Sequence, residues 1–412
     1  MMNARSLWRT GLAATALASL TMVAAPASAQ QGVSATEIKI GGFGAITGPL
    51  AFIGAASRDG MQLAIDQINA NGGINGRKLR LIYEAGGTPA EFQAAARKLV
   101  EQDQVFAVMI GSGSTGAAAA ADYLREKKIP TYALTVAVPK YYDPFAPNMF
   151  SGTVPHAKFL AESMFRITTS WGTPKNVALV VTRLAYHKSV ADSLKPKIEA
   201  AKIQLSVVEE IDSGARDMTA ALVAIAKAKP DVVVLAADAA EAGFIIKQAP
   251  EKGVRGVKWV LAGSAATDAF APIVGKLGEG VRSEWFFPYY FGEDKVEMQK
   301  FEKAWKAAYT SPPPQRPNLY DMSAYNSMMM MAVALKRAGQ TPTWDNVVAA
   351  FQSFRNVRAS ELGSWAADIS SPESFGPKDI QGNDRMYQVE LKNGKWVVRP
   401  GAEYVFDVGG GS

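Results

Sequence analysis

A glycine-rich loop with three hydroxyl side chains is the part of this chain best suited to bind an anion. The loop reads Gly111-Ser112-Gly113-Ser114-Thr115-Gly116 and follows an apolar run at Val105–Ile110. A helix is predicted to begin in this loop and to continue to Lys128. Backbone N–H groups at a helix start, together with serine hydroxyls, bind a carboxylate well. The same pattern is also typical of a glycine-rich turn capped by serine, so the residues alone leave both interpretations open.

Other kinds of chemistry find little support in the sequence. The spacing Gly42-x-Gly44-x-x-x-Gly48 is wrong for a dinucleotide-binding loop, and we expect no cofactor. The chain has no cysteine and two histidines, which excludes thiolate metal sites and disfavours a multi-histidine metal centre. It contains neither a G-x-S-x-G nor an H-E-x-x-H motif. We therefore predict that the protein is not an enzyme. An exported hydrolase with paired carboxylates stays open, because acidic residues are plentiful.

The first 29 residues have the features of a cleaved secretory signal. Arg5 and Arg9 precede a small and apolar run from Gly11 to Ala25, and Ala27-Ser28-Ala29 is a typical cleavage signal. The apolar run has about 15 residues, fewer than the ~20 that a spanning helix needs. No cysteine follows it, so a lipid anchor is not expected. We predict an exported protein located in the periplasm.

Length and charge limit what the exported chain can be. About 380 residues remain after the signal, which suggests two domains, since single cores stop growing near 250–300 residues. The formal charge of +6 falls to +4 once the two arginines of the signal are removed. Basic and acidic residues are interspersed rather than clustered, so we expect no nucleic-acid partner.

Strand and helix signals alternate, which predicts α/β domains with parallel sheets covered on both faces. Thr88 and Glu91 stand at the positions of a capping box. The run Met328–Met331 predicts a buried core helix. The predicted strands include Val105–Ile110, Ile129–Val136, Asn176–Thr182, Ile203–Ile211, Asp231–Ala236 and Lys258–Ala262, with a hairpin over Met386–Val398. The predicted helices include Ser112–Lys128, Ser189–Lys202, Asp238–Ala249, Phe301–Tyr309, Ser323–Arg337 and Trp344–Phe354.

One block points to a known family. Residues Ile38–Tyr83 form a strand, a glycine-punctuated loop, a helix and a second strand. The turn Ile68–Leu79 reads INANGGINGRKL, and the block resembles the opening of type I periplasmic binding proteins, in particular the branched-chain amino-acid-binding group of ABC importers. The resemblance implies an α/β fold of two Rossmann-like lobes with parallel-rich sheets, joined by a multi-segment hinge. It extends over nearly the whole exported chain and weakens toward the C-terminus, where 364–384 depart from the usual ending.

The chain is expected to cross between the two lobes three times, which lets a hinge close around a ligand without shearing either core. The first two crossings are predicted at Ser151–His156 and Ser283–Pro288, and the third between Gly363 and Phe375. The predicted division is 1–29 signal peptide, 30–152 plus 286–365 first lobe, 153–285 plus 366–405 second lobe, and 406–412 flexible tail.

The resemblance implies a ligand site beyond the carboxyl ends of the strands, as is usual in open parallel sheets. The serine that holds the ligand carboxylate in the family falls on Ser112. The backbone carbonyl and the threonine of the next strand end fall on Ala133 and Thr135. The tyrosine that closes over the ligand falls on Tyr186.

The chain departs from the family pattern at several of these positions. His187 replaces the glycine beside the tyrosine, and it is either an exposed loop residue or a hydrogen-bond donor to the ligand. Asp238 stands where an aromatic residue is frequent, and Gly263 where an acid pairs with the ligand ammonium. The aromatic residue of the first loop aligns with Ile53, next to Phe52.

These departures bear on the ligand. A buried ammonium needs a charged partner, so either Asp238 takes that role or the ligand lacks an ammonium. The second option suggests an organic acid, with aromatic wall residues at Phe43, Phe52, Tyr132 and Tyr186. The expected function is a solute-binding protein that clamps a small carboxylate and delivers it to an ABC permease. The alternative is a receptor that presents its ligand to a sensor kinase. We expect a monomer.

Overall fold

The computed structural model describes residues 30–48, 51–309 and 317–406. The predicted signal peptide and all but the first residue of the predicted tail lie outside these ranges. The described chain contains two separate sheets with helices around them, which confirms the two-lobed α/β fold. We call each sheet with the helices packed on it a lobe, the first and the second in chain order.

The first sheet has five parallel strands in the order β2-β1-β3-β4-β5. Every residue of β3 and β4 is buried, because helices cover both faces of a parallel sheet and leave no side for solvent. These two strands end side by side, so the loops that follow them meet at one edge of the sheet. The strands are β1 (Glu37–Gly44), β2 (Lys78–Ala85), β3 (Ala107–Ile110), β4 (Thr131–Thr135) and β5 (Met149–Val154).

The second sheet has the order β12-β11-β10-β9-β8-β6-β7, and β13 pairs with β11 outside this path. Its strands from β7 to β10 are parallel, whereas β10, β11 and β12 pair antiparallel. The strands are β6 (Asn176–Thr182), β7 (Gln204–Ile211), β8 (Val232–Ala236), β9 (Lys258–Leu261), β10 (Arg282–Trp285), β11 (Arg385–Lys392), β12 (Lys395–Val398) and β13 (Tyr404–Val405).

Twelve α-helices lie in the described ranges. The capping box at Thr88 and Glu91 is present, with each side chain bonded to the other residue's backbone N–H. The helices are α1 (Ala51–Ala70), α2 (Pro89–Glu101), α3 (Gly113–Lys127), α4 (Pro139–Tyr142), α5 (Ala157–Thr168), α6 (Ala185–Ala200), α7 (Thr219–Ala228), α8 (Ala239–Gln248), α9 (Phe270–Val274), α10 (Val296–Ala308), α11 (Leu319–Arg337) and α12 (Trp344–Gln352). None of the helices in these ranges is both long and apolar enough to cross a membrane.

Helix α11 ties the later part of the chain to the first lobe. It packs against α1 and against β4 and β5. Met328–Met331 are buried on all sides, as the sequence predicts. The helix starts with a capping box formed by Asn318 and Asp321. Its first residues therefore have a fixed position at the edge of the first sheet.

Helix α6 begins earlier than the sequence predicts. It starts at Ala185 rather than Ser189, and its N-cap Leu184 offers no side-chain hydrogen bond. The start was missed because the usual capping residue is absent. As a consequence Tyr186 and His187 lie in the first turn of a helix, where their directions are fixed, and not in a loop.

The irregular segment before β11 stays with the first lobe. The Ser151 N–H donates to the Ile380 carbonyl at 2.8 Å, and the Gly382 N–H donates to the Ser151 carbonyl at 2.7 Å. The buried Glu373 carboxylate accepts from the Tyr132 hydroxyl and from Asn326. These contacts favour a third crossing between Gly382 and Arg385, later than the expected Gly363–Phe375.

The close approach of α1 and α11 gives the first prediction. A Cβ on Gly60 would lie 2.3 Å from the Asp321 carbonyl oxygen. We expect Gly60→Ala to lower the free energy of unfolding by about 1–3 kcal/mol through overpacking, although alanine is the better helix former. Urea unfolding measures the change. Gly87→Ala is the control, because the nearest atom would be 3.5 Å away and the change should stay within about 0.5 kcal/mol. Equal effects of both substitutions would contradict the steric explanation.

Candidate functional site

A cleft lies between the carboxyl ends of the first sheet and the second lobe. Its volume is about 540 Å³, including the open mouth. Most of its wall is apolar, and the polar groups are gathered on two opposing sides. The first lobe contributes Ile53, Ser112, Gly113, Ser114, Thr115, Thr135, Val154, Leu319 and Tyr320, and the second Leu184, Tyr186, His187, Asp238, Ser264 and Phe286.

The start of α3 forms the polar side of the first lobe. Ser112 is the N-cap residue of α3, yet its side chain makes no capping hydrogen bond. Its Oγ is buried without a partner. Gly116 makes room for this orientation, since a Cβ there would lie 1.7 Å from the Ser112 Oγ. The N–H groups of the first helical turn need acceptors, and the helix dipole favours an anion at this end.

Thr135 adds a second free hydroxyl at the same place. It is the last residue of β4, it is 7% exposed, and its Oγ1 has no hydrogen-bond partner. A Cβ on Gly113 would lie 3.9 Å from this oxygen, so Thr135 stands beside the start of α3. A buried hydroxyl without a partner is costly. Two such groups at one helix start are therefore suited to a ligand that brings its own acceptor atoms, such as a carboxylate.

The polar side of the second lobe is an internally bonded cluster around His187. The imidazole is 1% exposed, its Nδ1 bonds to the Thr182 hydroxyl, and its Nε2 lies 3.0 Å from the Ser264 Oγ. Burial lowers the pKa of His187 to about 3, so the ring is neutral. Its Nε2 lies 3.5 Å from Asp238 Oδ1. Burial raises the pKa of Asp238 to about 6, although a hydrogen bond from Ser264 opposes the shift.

Phe286 occupies the space that a side chain at position 263 would need. A Cβ on Gly263 would lie 2.4 Å from Cζ and 2.6 Å from Cε2 of the Phe286 ring. The ring lines the cleft and covers Gly263, whose N–H donates to Glu284 Oε1 at 3.2 Å. The wall therefore presents an aromatic ring at a point where an acid was expected from the family pattern.

Six of the predicted site residues meet at this cleft: Ile53, Ser112, Thr135, Tyr186, His187 and Asp238. Ala133 does not line it, because it lies inside β4 between its partners on β3 and β5. Gly263 lies behind Phe286. Phe52 lines a wider, adjoining cleft of about 1790 Å³, including the open solvent at its mouth. Its ring packs edge-on against the Tyr320 ring, with the centroids 5.7 Å apart.

Two of the expected aromatic wall residues are in the core instead. Phe43 is fully buried and packs against Phe92 on α2. Tyr132 is fully buried, and its hydroxyl bonds to Glu373. Phe286 and Tyr320 are the aromatic residues that sequence reasoning missed. Phe286 belongs to an aromatic run that the sequence did show after Trp285, and Tyr320 follows a helix cap.

The described residues offer no group of three or more His, Asp or Glu side chains that could hold a metal ion.

The family follows from comparison with known proteins. A family model described as periplasmic binding protein matches residues 37–395. The chain belongs to this family. A Pseudomonas aeruginosa relative, named leucine-, isoleucine-, valine-, threonine-, and alanine-binding protein, is 25% identical over 76% of this chain and 81% of its own length. The predicted kinship with the Leu/Ile/Val-binding group is confirmed.

Solved structures of similar fold carry different ligands. The branched-chain amino acid transporter substrate binding protein LivJ from Streptococcus pneumoniae, in complex with isoleucine, has a TM-score of 0.73 at 22% identity. That match covers 88% of this chain and all of the other. A solute binding protein of an ABC transporter from Rhodopseudomonas palustris, in complex with 3,4-dihydroxybenzoic acid, has a TM-score of 0.74 at 19% identity and covers 90% and 97% of the two chains. At these identities the likeness shows the fold alone.

The buried histidine predicts a pH dependence of stability. The pKa of His187 is about 3 in the fold and ordinarily 6.5, so between these values the unfolded chain binds a proton that the folded chain does not. This contribution lowers stability as the pH falls below about 6.5. We expect His187→Gln to lose less stability than the wild type between about pH 6.5 and pH 4.5, by about 2 kcal/mol. Urea unfolding at the two pH values measures this difference.

The other histidine gives an independent check. Burial lowers the pKa of His156 to about 4, and its side chain caps α5. His156→Gln should change the pH dependence in the same direction and by a similar amount over this range, because its folded pKa also lies below pH 4.5. A His187 variant with the acid sensitivity of the wild type would contradict the neutral, buried imidazole.

Proposed function

We propose that this protein is a solute-binding protein that holds a small carboxylate between its two lobes and delivers it to an ABC permease in the membrane. The observation that carries the proposal is that Ser112 and Thr135, two residues with buried and unpartnered hydroxyls, line the cleft at the start of α3. A carboxylate supplies acceptors for both hydroxyls and for the first N–H groups of the helix.

The opposite wall favours an organic acid without an ammonium group, and specifically an aromatic one. The Phe286 ring fills the place of an acidic side chain at position 263. Ile53, Val154 and Leu184 add apolar surface between the two polar sides, which suits a flat ring. The Ser264 hydroxyl, held by the neutral His187, can then bond to a polar substituent at the far end of the ligand.

An amino acid is the second candidate, because one carboxyl group does face the cleft. Asp238 heads α8 without capping it, lines the cleft and accepts a hydrogen bond from Ser264. Its pKa of about 6 leaves it ionised at neutral pH, and a ligand ammonium would lower that pKa further. The name of the Pseudomonas aeruginosa relative also favours this candidate.

Release into the periplasm and action as a monomer complete the proposal. Closure of the two lobes around the ligand would create the surface that the permease recognises, so ligand binding and docking would share one hinge equilibrium.

A thermal-shift screen of residues 30–412 tests the function. The screen compares benzoate and hydroxybenzoates with isoleucine, leucine and aliphatic keto acids. A ligand at 100–1,000 times its dissociation constant should stabilise the fold by roughly 3–4 kcal/mol. If no carboxylate raises the melting temperature, the proposed function is wrong.

Ser112→Ala tests the carboxylate end. The variant removes one hydrogen bond to a charged group, worth about 1.5–3 kcal/mol, so the dissociation constant should rise about 10- to 100-fold. Isothermal titration calorimetry with the best ligand of the screen measures the change. Ser163→Ala is a matched control, because its Oγ is also buried and unpartnered but lies in α5 away from the cleft. Unchanged affinity of the Ser112 variant would remove this residue from the site.

Asp238→Asn separates the two ligand classes. If the ligand carries an ammonium, the loss of its buried charge partner should weaken binding at least 100-fold, since such pairs are worth about 3–5 kcal/mol. If the ligand is an aromatic acid, binding should weaken less than about tenfold or become tighter, because a negative charge near the ligand is removed. Calorimetry with isoleucine and with benzoate decides between the two.

A further inference from the structure

Glu284 is a buried carboxyl group directly behind the cleft wall. It lies in β10 with no exposed surface, and its Oε1 accepts the Gly263 N–H at 3.2 Å. Its Oε2 has no hydrogen-bond partner. The Tyr186 hydroxyl, also buried, has none either. Tyr186 itself lines the cleft, and its hydroxyl interacts with the Glu284 carboxyl group.

The two groups are close enough to affect each other. The pKa of Tyr186 is raised by burial and then by the charge of Glu284, with smaller effects from Tyr320 and Asp238. The Tyr186 hydroxyl and the Gly263 N–H oppose the effect of burial on Glu284, yet burial still raises the pKa of Glu284 to about 8. No cation contributes to this balance, so Glu284 carries its proton at neutral pH.

Glu284 is placed where it joins three parts of the wall. Its side chain touches Gly263, the residue before Ser264, and interacts with Tyr186 on α6. Phe286 follows two residues later along the same strand end. The strand itself is fixed between β9 and β11, and Glu284 pairs with Gln388. A change at Glu284 therefore acts on Tyr186, Ser264 and Phe286 together.

The other titratable groups near this wall change protonation state in different pH ranges. His187 shares the first turn of α6 with Tyr186 and titrates near 3, and Asp238 at the start of α8 titrates near 6. The pKa values of Tyr186 and of Tyr320 on α11 are raised well above their usual range. Of these groups, Glu284 is the one whose proton is lost between pH 7 and pH 9.

We propose that Glu284 is a positioning residue whose protonated carboxyl group holds Tyr186 and the Gly263–Ser264 turn in the ligand-binding arrangement, and whose ionisation opens this wall and weakens binding of an anionic ligand. The inference rests on the proposed ligand cleft. An ionised Glu284 is a buried charge with no cation among the groups that shift its pKa, and such a charge must attract water or a cation. It also adds a negative charge to the wall of a cleft that takes an anionic ligand, which is unfavourable.

Linkage gives the expected size of the effect. If the ligand binds only to the form with a protonated Glu284, the affinity does not change with pH below about pH 8. Above the pKa of Glu284, the affinity falls about tenfold for each pH unit. The dissociation constant of benzoate, whose carboxylate stays ionised throughout, should therefore be about tenfold higher at pH 9 than at pH 7. Calorimetry between these pH values measures it, with isoleucine in a parallel arm.

Glu284→Gln is the main variant. Glutamine keeps the shape and can bond to both Gly263 and Tyr186 without titrating, so its dissociation constant should stay level from pH 7 to pH 9. Titration of the ligand itself affects both proteins equally, so it cancels in the ratio of the variant's dissociation constant to that of the wild type at each pH. Glu373→Gln is the matched control. Glu373 is equally buried and its pKa is raised to about 7, but it lies in the first lobe away from the wall. That variant should follow the wild-type pH profile.

Tyr186→Phe gives a second readout. The Tyr186 hydroxyl lowers the pKa of Glu284, so its removal should move the midpoint of the affinity loss to higher pH. A merely structural role of Glu284 would not produce this shift. The proposal is wrong if wild-type affinity is level from pH 7 to pH 9, or if Glu284→Gln keeps the wild-type slope.

Failure of the proposed function would give a different result. In that case neither benzoate nor isoleucine binds the wild type at any pH. Hydrogen exchange of the unliganded protein then tests whether ionisation of Glu284 loosens the wall, without any need for a ligand. Protection of the amides at 261–266, corrected for the intrinsic rate, should fall above pH 8 in the wild type and persist in Glu284→Gln. Equal protection in both proteins would overturn the proposal.

Discussion

The start of α3 is the constraint on which the site depends. A helix needs acceptors for its first N–H groups, and the usual solution is a side chain at the N-cap. Ser112 stands at this position, but its hydroxyl lies against Gly116 and caps no N–H group. The Ser114 hydroxyl accepts the Ala137 N–H at 3.0 Å. The Thr135 hydroxyl beside Ser112 also has no hydrogen-bond partner. The first lobe therefore has several hydrogen-bond donors without acceptors at the cleft. The pairing of β3 with β4 brings the loops that follow these strands together.

The second lobe is organised in the opposite way. Thr182, His187 and Ser264 bond to one another, so this side needs no ligand to satisfy its hydrogen bonds. Its wall is shaped by the fit of Phe286 over Gly263. The first lobe therefore supplies attraction, and the second supplies shape. Under the proposed function, a carboxylate would therefore dock on the first lobe before the lobes close.

Local sequence signals predicted much of this arrangement. The buried strands and the glycine-serine loop are short-range features, and they placed Ser112 directly after a strand. Thr135 came from the family resemblance. Tyr186 and His187 were found through the family resemblance, although the start of their helix was missed for lack of a capping side chain. The positions of Phe286 and Glu284 at the cleft wall could not be predicted from local sequence, because they depend on the pairing of β9 with β10.

The segment before β11 shows a similar limit. Residues 364–384 have no regular periodicity, so nothing local predicted that they stay with the first lobe. Their position comes from distant partners, such as Ser151, which bonds to both Ile380 and Gly382. Burial of Glu373 against Tyr132 and Asn326 further fixes this path.

Helix α11 has a consequence for the entropy of ligand binding. Tyr320 lies in the first turn of a helix whose remaining length, including Met328–Met331, is packed in the core. Its rotamer freedom was lost when the protein folded, so contact with a ligand removes little more. Phe52, which faces Tyr320 across the outer cleft, is 43% exposed and keeps much of its freedom. A ligand confined to the cleft lined by Ser112 and Tyr186 thus meets a surface that is already ordered. A ligand that also contacts Phe52 must restrict the rotation of that ring, which lowers the entropy of binding.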